Sequence, residues 1–214
     1  MKGWKRAVDV VLASAMLGLL AIPLLLLAVA IKLADRGPVL FRQERIGRGG
    51  RPFDVWKLRT MEVGAAERGL GLTVSAGDER ITAVGRVLRG WGLDELPQLI
   101  NVLVGTMSLV GPRPTLRYQV ERYDVHQRRR LEMKPGLTSL AVVSGRNALS
   151  WPERIDLDVW YVDHWSLGLD LRILVRTVWH VLVLRDGLYG PEGVNDAFLL
   201  GQERSSTGDR SEDG

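Results

Sequence analysis

Two adjacent carboxylates, Asp94 and Glu95, are the residues of this chain best suited to chemistry, because arginines lie close to them in sequence. The pair opens a predicted helix, and Arg113 follows that helix between Pro112 and Pro114. Proline on both sides restricts the backbone of Arg113, and a fixed guanidinium suits bidentate contact with phosphate. The pattern indicates a site where a carboxylate acts on a bound anion.

The same residues also have a purely structural interpretation. Asp is a common N-cap residue, and negative charge is favourable at a helix N-terminus, so the Asp94-Glu95 pair alone favours an ordinary helix cap. Arg113 can likewise be an incidental member of a rigid turn. The neighbouring elements therefore decide whether these residues form a catalytic site.

A β-hairpin is predicted upstream of the carboxylate pair. Its strands cover about 39–43 and 53–59, on either side of a turn rich in Gly and Arg. Lys57 and Arg59 are two residues apart in the second strand, so their side chains share one face. A lone basic pair on a strand is usually solvated surface, but the arginines that follow favour a role in anion binding.

A helix is predicted from Arg80, with Arg89 near its end. Its apolar residues recur along one stripe, at Val84, Val87, Leu88 and Trp91. Gly92 then favours a break between two helices. The next helix is predicted to begin near Leu93 or Asp94, which places the carboxylate pair in its first turn.

The composition limits the kinds of site that the chain can form. The 214 residues fit one domain, and a net charge of +4 is too small to imply nucleic acid by itself. The motifs also match no groove-reading module, so no nucleic-acid partner is expected. The absence of cysteine excludes disulfides, thiol nucleophiles and thiolate metal sites. The three histidines are scattered, without the spacing of a zinc site.

The N-terminal segment is predicted to enter a membrane. Residues 10–31 are uncharged and apolar, which is long enough to span a bilayer as a straight helix. Pro23 interrupts the run and favours a kink, and basic residues flank both ends. Because basic flanks tend to stay in the cytosol, we predict a re-entrant helix over 1–36 that returns to its starting side. A straight membrane anchor and a signal peptide are the alternatives.

The C-terminal part of the chain carries further patterns. The arginines at 128–130 predict a basic helix face, either solvated or in contact with anionic lipid headgroups. Residues 169–184 have the pattern of an amphipathic helix, which lies either in the headgroup plane or in the soluble core. Residues from about 201 to 214 are rich in Ser, Asp, Glu and Gly and are predicted to be disordered.

Together, the order and spacing of these motifs closely resemble those of the monotopic phosphoglycosyl transferases, the bacterial sugar transferase family. The similarity extends over roughly residues 4–195. The matching segments are Asp9, the apolar run with Pro23, PVLFRQERIG at 38–47, KLRTM at 57–61, LDELPQ at 93–98, GPRP at 111–114, KPGLT at 134–138 and GRN at 145–147. The chain is similar to the minimal catalytic form of the family.

The resemblance implies a fold and a reaction. The expected fold is α+β, mostly helical with a small β-hairpin or short sheet, in which residues 37–200 form the catalytic domain behind the re-entrant membrane helix. The expected reaction is a Mg²⁺-dependent transfer of a sugar 1-phosphate from a nucleotide sugar, usually a UDP-sugar, to polyprenol phosphate, with release of UMP. Asp94 is then the nucleophile and a metal ligand, and Glu95 assists through the metal or as a base. The residues expected to contact phosphate are Lys57, Arg59, Arg89, Arg113 and Arg146.

The resemblance also implies a location at the bacterial inner membrane, with the catalytic domain on the cytoplasmic face among membrane lipids, and it is compatible with a homo-oligomer. Two residues depart from the family pattern. Ile22 replaces a serine that often precedes the re-entrant proline, and Val142 replaces an amide expected near the nucleotide or sugar. A non-catalytic membrane adaptor, which binds anionic lipid or nucleotide through its arginines, is the alternative function.

Overall fold

The computed structural model describes residues 3–67, 78–145 and 148–181. These residues are mostly helical with two small sheets, which confirms the predicted α+β class. The predicted disordered tail at 201–214 lies outside the described residues. The helices are α1 (Gly3–Asp35), α2 (Ala83–Trp91), α3 (Gln98–Val104), α4 (Arg117–Glu121), α5 (Val125–Arg128), α6 (Leu140–Ser144), α7 (Trp151–His164) and α8 (Leu167–Trp179). The strands are β1 (Leu40–Ile46), β2 (Pro52–Leu58), β3 (Ser108–Val110) and β4 (Gly136–Thr138).

Helix α1 contacts the rest of the protein along one stripe and exposes its opposite face. The stripe includes the buried residues Lys5, Asp9, Ala13 and Ile31. The exposed face carries large apolar side chains, at Val11, Leu19, Ile22, Leu25, Leu26, Val29 and Leu33. Within the described part of the chain, α1 is the one helix long and apolar enough to cross a membrane, and Pro23 lies inside it. An exposed apolar face of this size suits contact with lipid.

Strands β1 and β2 form the predicted antiparallel hairpin, with Leu40 opposite Leu58. Because side chains alternate along a strand, Phe53, Val55 and Lys57 lie on one face of β2. Val55 is buried in the main core and Phe53 packs against that core. The alternation therefore directs Lys57 inwards, towards the turn that holds the carboxylate pair.

Strands β3 and β4 are parallel and bring two glycines into close contact. A Cβ atom on Gly136 would lie 2.1 Å from the backbone nitrogen of Gly111, so only glycine fits there. Gly136 also donates a 2.9 Å hydrogen bond from its N–H to the carbonyl of Pro112. The small sheet thereby fixes the start of the segment that contains Arg113.

Helix α2 has the expected end signals, but its apolar stripe is only partly buried. Thr82 caps its first turn, and Gly92 ends it in the left-handed conformation, with φ 67°. Leu88 is fully buried between α1 and the end of β2, whereas Val87 is 58% exposed and Trp91 is 37% exposed. The predicted apolar stripe is therefore wider than the face through which α2 packs against the rest of the protein.

Helices α7 and α8 complete the core, and α8 covers positions 169–179 of the predicted amphipathic segment. The prediction of a basic face at 128–130, solvated or against headgroups, is wrong for Arg130, which is 2% exposed. Arg130 pairs with Asp158 of α7, which is 1% exposed, whereas Arg129 pairs with Asp163 at the surface. The carboxylate that compensates Arg130 lies in a distant element, so the local pattern of arginines does not indicate the burial.

Candidate active site

The carboxylate pair lies in a 3₁₀ turn, Leu93–Glu95, which follows α2 directly. The α-helix expected to begin at this point starts later, at Gln98. Pro97 immediately precedes α3 with helical torsions, φ −60° and ψ −16°, and its missing N–H costs nothing there because the first N–H groups of a helix lack partners anyway. Asp94 and Glu95 are both buried in this turn, with 2% and 5% of their surfaces exposed.

Two cations bind Glu95. Its Oε1 accepts hydrogen bonds from Lys57 Nζ at 2.9 Å and from Arg113 Nη2 at 2.8 Å. Burial alone would raise the pKa of Glu95, but Arg113 and Lys57 outweigh burial and hold that pKa well below its ordinary value. Glu95 is therefore ionised at neutral pH and joins β2 to the segment after β3.

Asp94 has a different environment from its neighbour. Its Oδ1 is buried and accepts no hydrogen bond from the residues that the structure describes. Burial, and then the charge of Glu95, raise the pKa of Asp94 to about 6, although Lys57 and Arg89 oppose the increase. Such a carboxylate is weakly solvated yet mostly ionised at neutral pH, which is a suitable state for a nucleophile.

The other two described arginines of the predicted set differ in what they contact. Arg89 donates from Nε to the hydroxyl of Thr60 at 2.7 Å, and its charge acts on Asp94. Arg59 is 8% exposed and donates to backbone carbonyls at positions 38 and 61, on either side of the hairpin. The structure thus places Arg89 with the carboxylate pair, whereas these bonds of Arg59 close the base of the hairpin.

Two further predicted residues are not placed at this site. Arg146 lies outside the described residues, so its contact with phosphate stays a prediction. Pro23 lies inside α1 at an exposed position, and its proposed kink also stays a prediction.

Asn101 is a positioning residue that the sequence analysis did not single out. It is 2% exposed, its Oδ1 accepts from the Trp56 N–H at 3.1 Å, and its Nδ2 donates to the Asp54 carbonyl at 2.6 Å. These bonds fasten α3 to β2 and so set Lys57 against Glu95. The signal in the sequence is an amide within the apolar run that follows Gln98 in α3.

The N-terminal end of α1 is fixed to the strand that leads to Arg113. Asp9 accepts hydrogen bonds from β3, from a serine hydroxyl at 2.8 Å and from a backbone N–H at 3.1 Å. Lys5 donates to the last carbonyl of β3 at 3.1 Å and pairs with Asp170 of α8 at 2.6 Å. Helix α1 and the segment that carries Arg113 are therefore both attached to β3.

The oxygen donors of the site fit Mg²⁺. This ion is usually held by one or two carboxylates together with phosphate oxygens and water. Asp94 and Glu95 offer two adjacent carboxylates in one turn. The described residues contain no group of three His, Cys, Asp or Glu side chains that could hold a metal. Mg²⁺ held at this pair would therefore complete its coordination with water or with phosphate oxygens.

Comparison with known proteins identifies the family of the chain. Residues 1–184 match the family described as bacterial sugar transferase. A UDP-glucose:undecaprenyl-phosphate glucose-1-phosphate transferase of Caulobacter vibrioides is 47% identical over 81% of this chain and 68% of that protein. The uncharacterised sugar transferase EpsL of Bacillus subtilis is 45% identical over 84% of this chain and 87% of its own length. The exopolysaccharide production protein ExoY of Rhizobium meliloti is 42% identical over 81% and 83%. The chain belongs to the bacterial sugar transferase family, which confirms the resemblance inferred from its motifs.

Proposed function

We propose that the protein transfers a sugar 1-phosphate from a UDP-sugar to polyprenol phosphate, which yields a polyprenyl-diphosphate sugar and UMP. The name of the Caulobacter relative supports this general reaction. The reaction is the first membrane step in the synthesis of a bacterial glycoconjugate. The relative named for exopolysaccharide production supports an exopolysaccharide as the end product.

The proposed route has two displacements at the phosphorus that carries the sugar. In the first, Oδ1 of Asp94 forms a bond to this phosphorus while the bond to the UMP oxygen breaks, and UMP leaves. In the second, a phosphate oxygen of polyprenol phosphate attacks the same phosphorus, and the bond to Asp94 breaks. The carboxylate of Asp94 is regenerated. Covalent catalysis of this kind divides one difficult displacement into two easier ones.

The observation that carries the proposal is the contrast between the two carboxylates. Glu95 is neutralised by Lys57 and Arg113, whereas Oδ1 of Asp94 is buried and accepts no hydrogen bond from the described residues. Buried polar atoms normally have partners, and an exception calls for an explanation. An atom that must bond to phosphorus during the reaction provides one.

The cations next to Asp94 have a clear task in this reaction. A carboxylate approaches an anionic diphosphate, so positive charge must offset the repulsion. Arg113 is suited to bind the substrate because 40% of its side chain is exposed while one of its nitrogens contacts Glu95. Mg²⁺ held by Asp94, Glu95 and the diphosphate would add Lewis-acid charge at the leaving phosphate.

The contacts of α1 support the re-entrant placement at the membrane. Lys5 near its start contacts β3 and α8, and Ile31 near its end packs with Leu58 and Leu88. Both ends of α1 thus contact the same folded body, as a helix that returns to its starting side requires. Because basic flanks remain in the cytosol, we propose that this body lies on the cytoplasmic face of the inner membrane.

A second apolar surface supports contact with the same lipid layer. Helix α8 exposes apolar residues at helical spacing, at Leu167, Leu171, Val175, Val178 and Trp179. Asp170 and Ile173 on its opposite side are buried. This division suits a helix that lies in the headgroup plane, which is one of the two placements expected for this segment.

The proposal is tested by measuring UMP release from a panel of UDP-sugars with Mg²⁺ and polyprenol phosphate. We expect one or more donors to react, and we expect Asp94→Asn to reduce the rate by at least ~10³-fold. Asp156→Asn, at an exposed position of α7, is the matched control and should react like the wild type. An Asp94→Asn protein that turns over normally would contradict the covalent route.

The same variant separates the enzyme from the adaptor. An adaptor needs no carboxylate within its cationic site, so Asp94→Asn would keep or improve its affinity for anionic lipid or nucleotide. Retained binding together with the absence of UMP release from wild-type protein, for every donor and with Mg²⁺ present, would favour the adaptor.

A further inference from the structure

We infer that the buried pair of Arg130 and Asp158 positions Arg113 for phosphate binding, by holding the main chain of Arg113 beneath the candidate site. The inference rests on the proposed function, because it assigns the pair a role through an arginine that we propose contacts the diphosphate. Neither residue is expected to touch substrate, since both are buried.

The contacts of Arg130 converge on Arg113. One terminal nitrogen, Nη2, donates to the carbonyl of Arg113 at 3.1 Å and also to Oδ2 of Asp158. The other terminal nitrogen, Nη1, donates to the hydroxyl of Tyr123 at 2.7 Å. The guanidinium therefore has fixed partners on both of its arms, so it holds the Arg113 carbonyl at a defined place.

Asp158 also acts on the main chain of Arg113. Burial raises the pKa of Asp158 above its ordinary value, and Arg130 together with the backbone amide of Arg113 opposes that increase. The carboxylate thus stabilises the cation that binds the Arg113 carbonyl and also lies near the Arg113 amide. The pair therefore bonds to the carbonyl of Arg113 through Arg130, and the charge of Asp158 supports that contact.

The rest of the Arg113 segment is held from another direction. The N–H of Gly136 donates to the carbonyl of Pro112 at 2.9 Å, which ties the preceding residue to β4. Prolines on both sides limit the backbone torsions of the segment. Because these restraints act on the main chain, the half-exposed guanidinium of Arg113 can reach Glu95 and substrate from a fixed origin.

Energetics favour such a role over simple stabilisation. Removing two charges from water is costly, and a buried ion pair is often no more stabilising than two apolar side chains of similar volume. Arg130 and Asp158 are 2% and 1% exposed, so the full cost applies to them. What an apolar pair could not reproduce is the directional hydrogen bond to the Arg113 carbonyl.

The chain provides a matched control for this pair. Arg129, the neighbour of Arg130 in sequence, pairs with Asp163 of the same helix α7, but this pair is exposed. The two ion pairs thus both join the 3₁₀ turn Arg129–Glu132 to α7. Within the described part of the chain, Arg129 bonds to Asp163 and Glu132 and not to Arg113.

The test is a double-mutant cycle on kcat/KM for UMP release, with thermal unfolding measured in parallel. The double variant R130M/D158L removes both charges and retains apolar volume. We expect it to lose roughly 10- to 100-fold in kcat/KM in the wild-type background. In the Arg113→Ala background we expect less than about 3-fold further loss, because the positioned group is already absent. The control R129Q/D163N should change kcat/KM by less than about 2-fold in both backgrounds.

Additive losses would overturn the inference. If R130M/D158L costs the same factor with and without Arg113, the pair acts on the fold as a whole. Arg130→Lys gives a second measurement in case the double variant unfolds. It keeps the charge opposite Asp158 but cannot reproduce the forked contacts, so its loss should also disappear in the Arg113→Ala background.

The two proposals fail in distinguishable ways. If wild-type protein releases no UMP from any donor, the proposed function fails. The same double-mutant cycle is then carried out with the affinity for UDP, in the presence of Mg²⁺, as the measured quantity. A loss of UDP affinity that depends on Arg113 would still support the positioning role. Normal UMP release with an additive cycle would reject the positioning role alone. Absence of both UMP release and UDP binding would reject both.

Discussion

Lys57 Nζ donates to Glu95 Oε1 at 2.9 Å, although the carboxylate that we propose as the nucleophile is the neighbouring Asp94. In this position the charge of Lys57 is close enough to lower the pKa of Asp94. Lys57 nevertheless donates no hydrogen bond to Oδ1 of Asp94. The two adjacent carboxylates therefore differ in their surrounding charges and in the direction of their pKa shifts. This difference has measurable consequences.

The first consequence is a pH dependence of UMP release. The pKa of Asp94 is about 6, and only the ionised carboxylate can attack phosphorus, so kcat/KM should be constant above pH ~7 and fall as the pH drops through about 6. Release should be measured as a single turnover without polyprenol phosphate, so that titration of the acceptor does not contribute. A midpoint near the ordinary aspartate value would contradict the buried environment of Asp94.

Two substitutions should move this midpoint in opposite directions. Glu95 raises the pKa of Asp94 and Lys57 lowers it, so Glu95→Gln should shift the midpoint of the residual activity to lower pH, and Lys57→Met should shift it to higher pH. Both variants should be slower than the wild type, because each disturbs the site. Shifts of the same sign would show that the midpoint belongs to another group.

Asp94→Asn should stabilise the fold in a pH-dependent way. The pKa of Asp94 is higher in the folded state than the ordinary value of 3.8, so ionisation penalises the folded state. The penalty is absent below pH ~4, grows between pH ~4 and ~6 and is constant above that. Asp94→Asn should therefore raise the free energy of unfolding by on the order of 2 kcal/mol at pH 8 and by much less at pH 4. The measurement is thermal unfolding in detergent at both pH values, and an equal effect at the two would contradict it.

Two glycines of α2 should respond to alanine in opposite ways. A Cβ on Gly85 would lie 2.0 Å from the carbonyl oxygen of Thr60, whereas a Cβ on Gly90 would meet no atom within 4 Å. Gly85→Ala should destabilise the protein by ~1–3 kcal/mol or more and displace the Thr60 hydroxyl from Arg89. Gly90→Ala should be stabilising by about 0.5–1 kcal/mol, since alanine favours a helix. Both variants are compared by their unfolding curves and by UMP release. Equal stabilities of the two variants would contradict the predicted difference.

The topology of α1 has its own test. The chain contains no cysteine, so single cysteines at positions 2 and 36 can be labelled selectively. With a membrane-impermeant maleimide, both should react in inverted vesicles and neither in intact spheroplasts. Labelling of the two positions from opposite sides would establish a straight span and reject the re-entrant helix.

The predictions from sequence succeeded where the relevant interactions are local. The hairpin follows from alternation and a glycine-rich turn, and its structure places Lys57 where the alternation directs it. The family was recognisable because several short motifs occur in a fixed order. The start of α3 was placed too early, because Leu93–Glu95 form a 3₁₀ turn and the α-helix begins only at Gln98.

The residues that support the site were harder to predict, because their partners are distant in sequence. Arg130 was predicted to be part of a basic surface, but it is buried against Asp158 in another helix. Asn101 lies 45 residues from the strand residue Trp56 to which it is bonded. No periodicity or local motif reports such a pairing, since only the fold determines which buried polar groups meet.

The bonds between α1 and β3 limit how far Arg113 can lie from the start of the apolar run of α1. Lys5 holds the carbonyl of Val110, and Arg113 follows three residues later, so the chain can place Arg113 at most about 10 Å further on. If α1 enters the bilayer as we propose, its apolar run begins a few residues after Lys5 and sets the level at which the lipid starts. The protein itself would then set the height of Arg113 above the bilayer, and a phosphate on a membrane-embedded lipid tail would have to match that height.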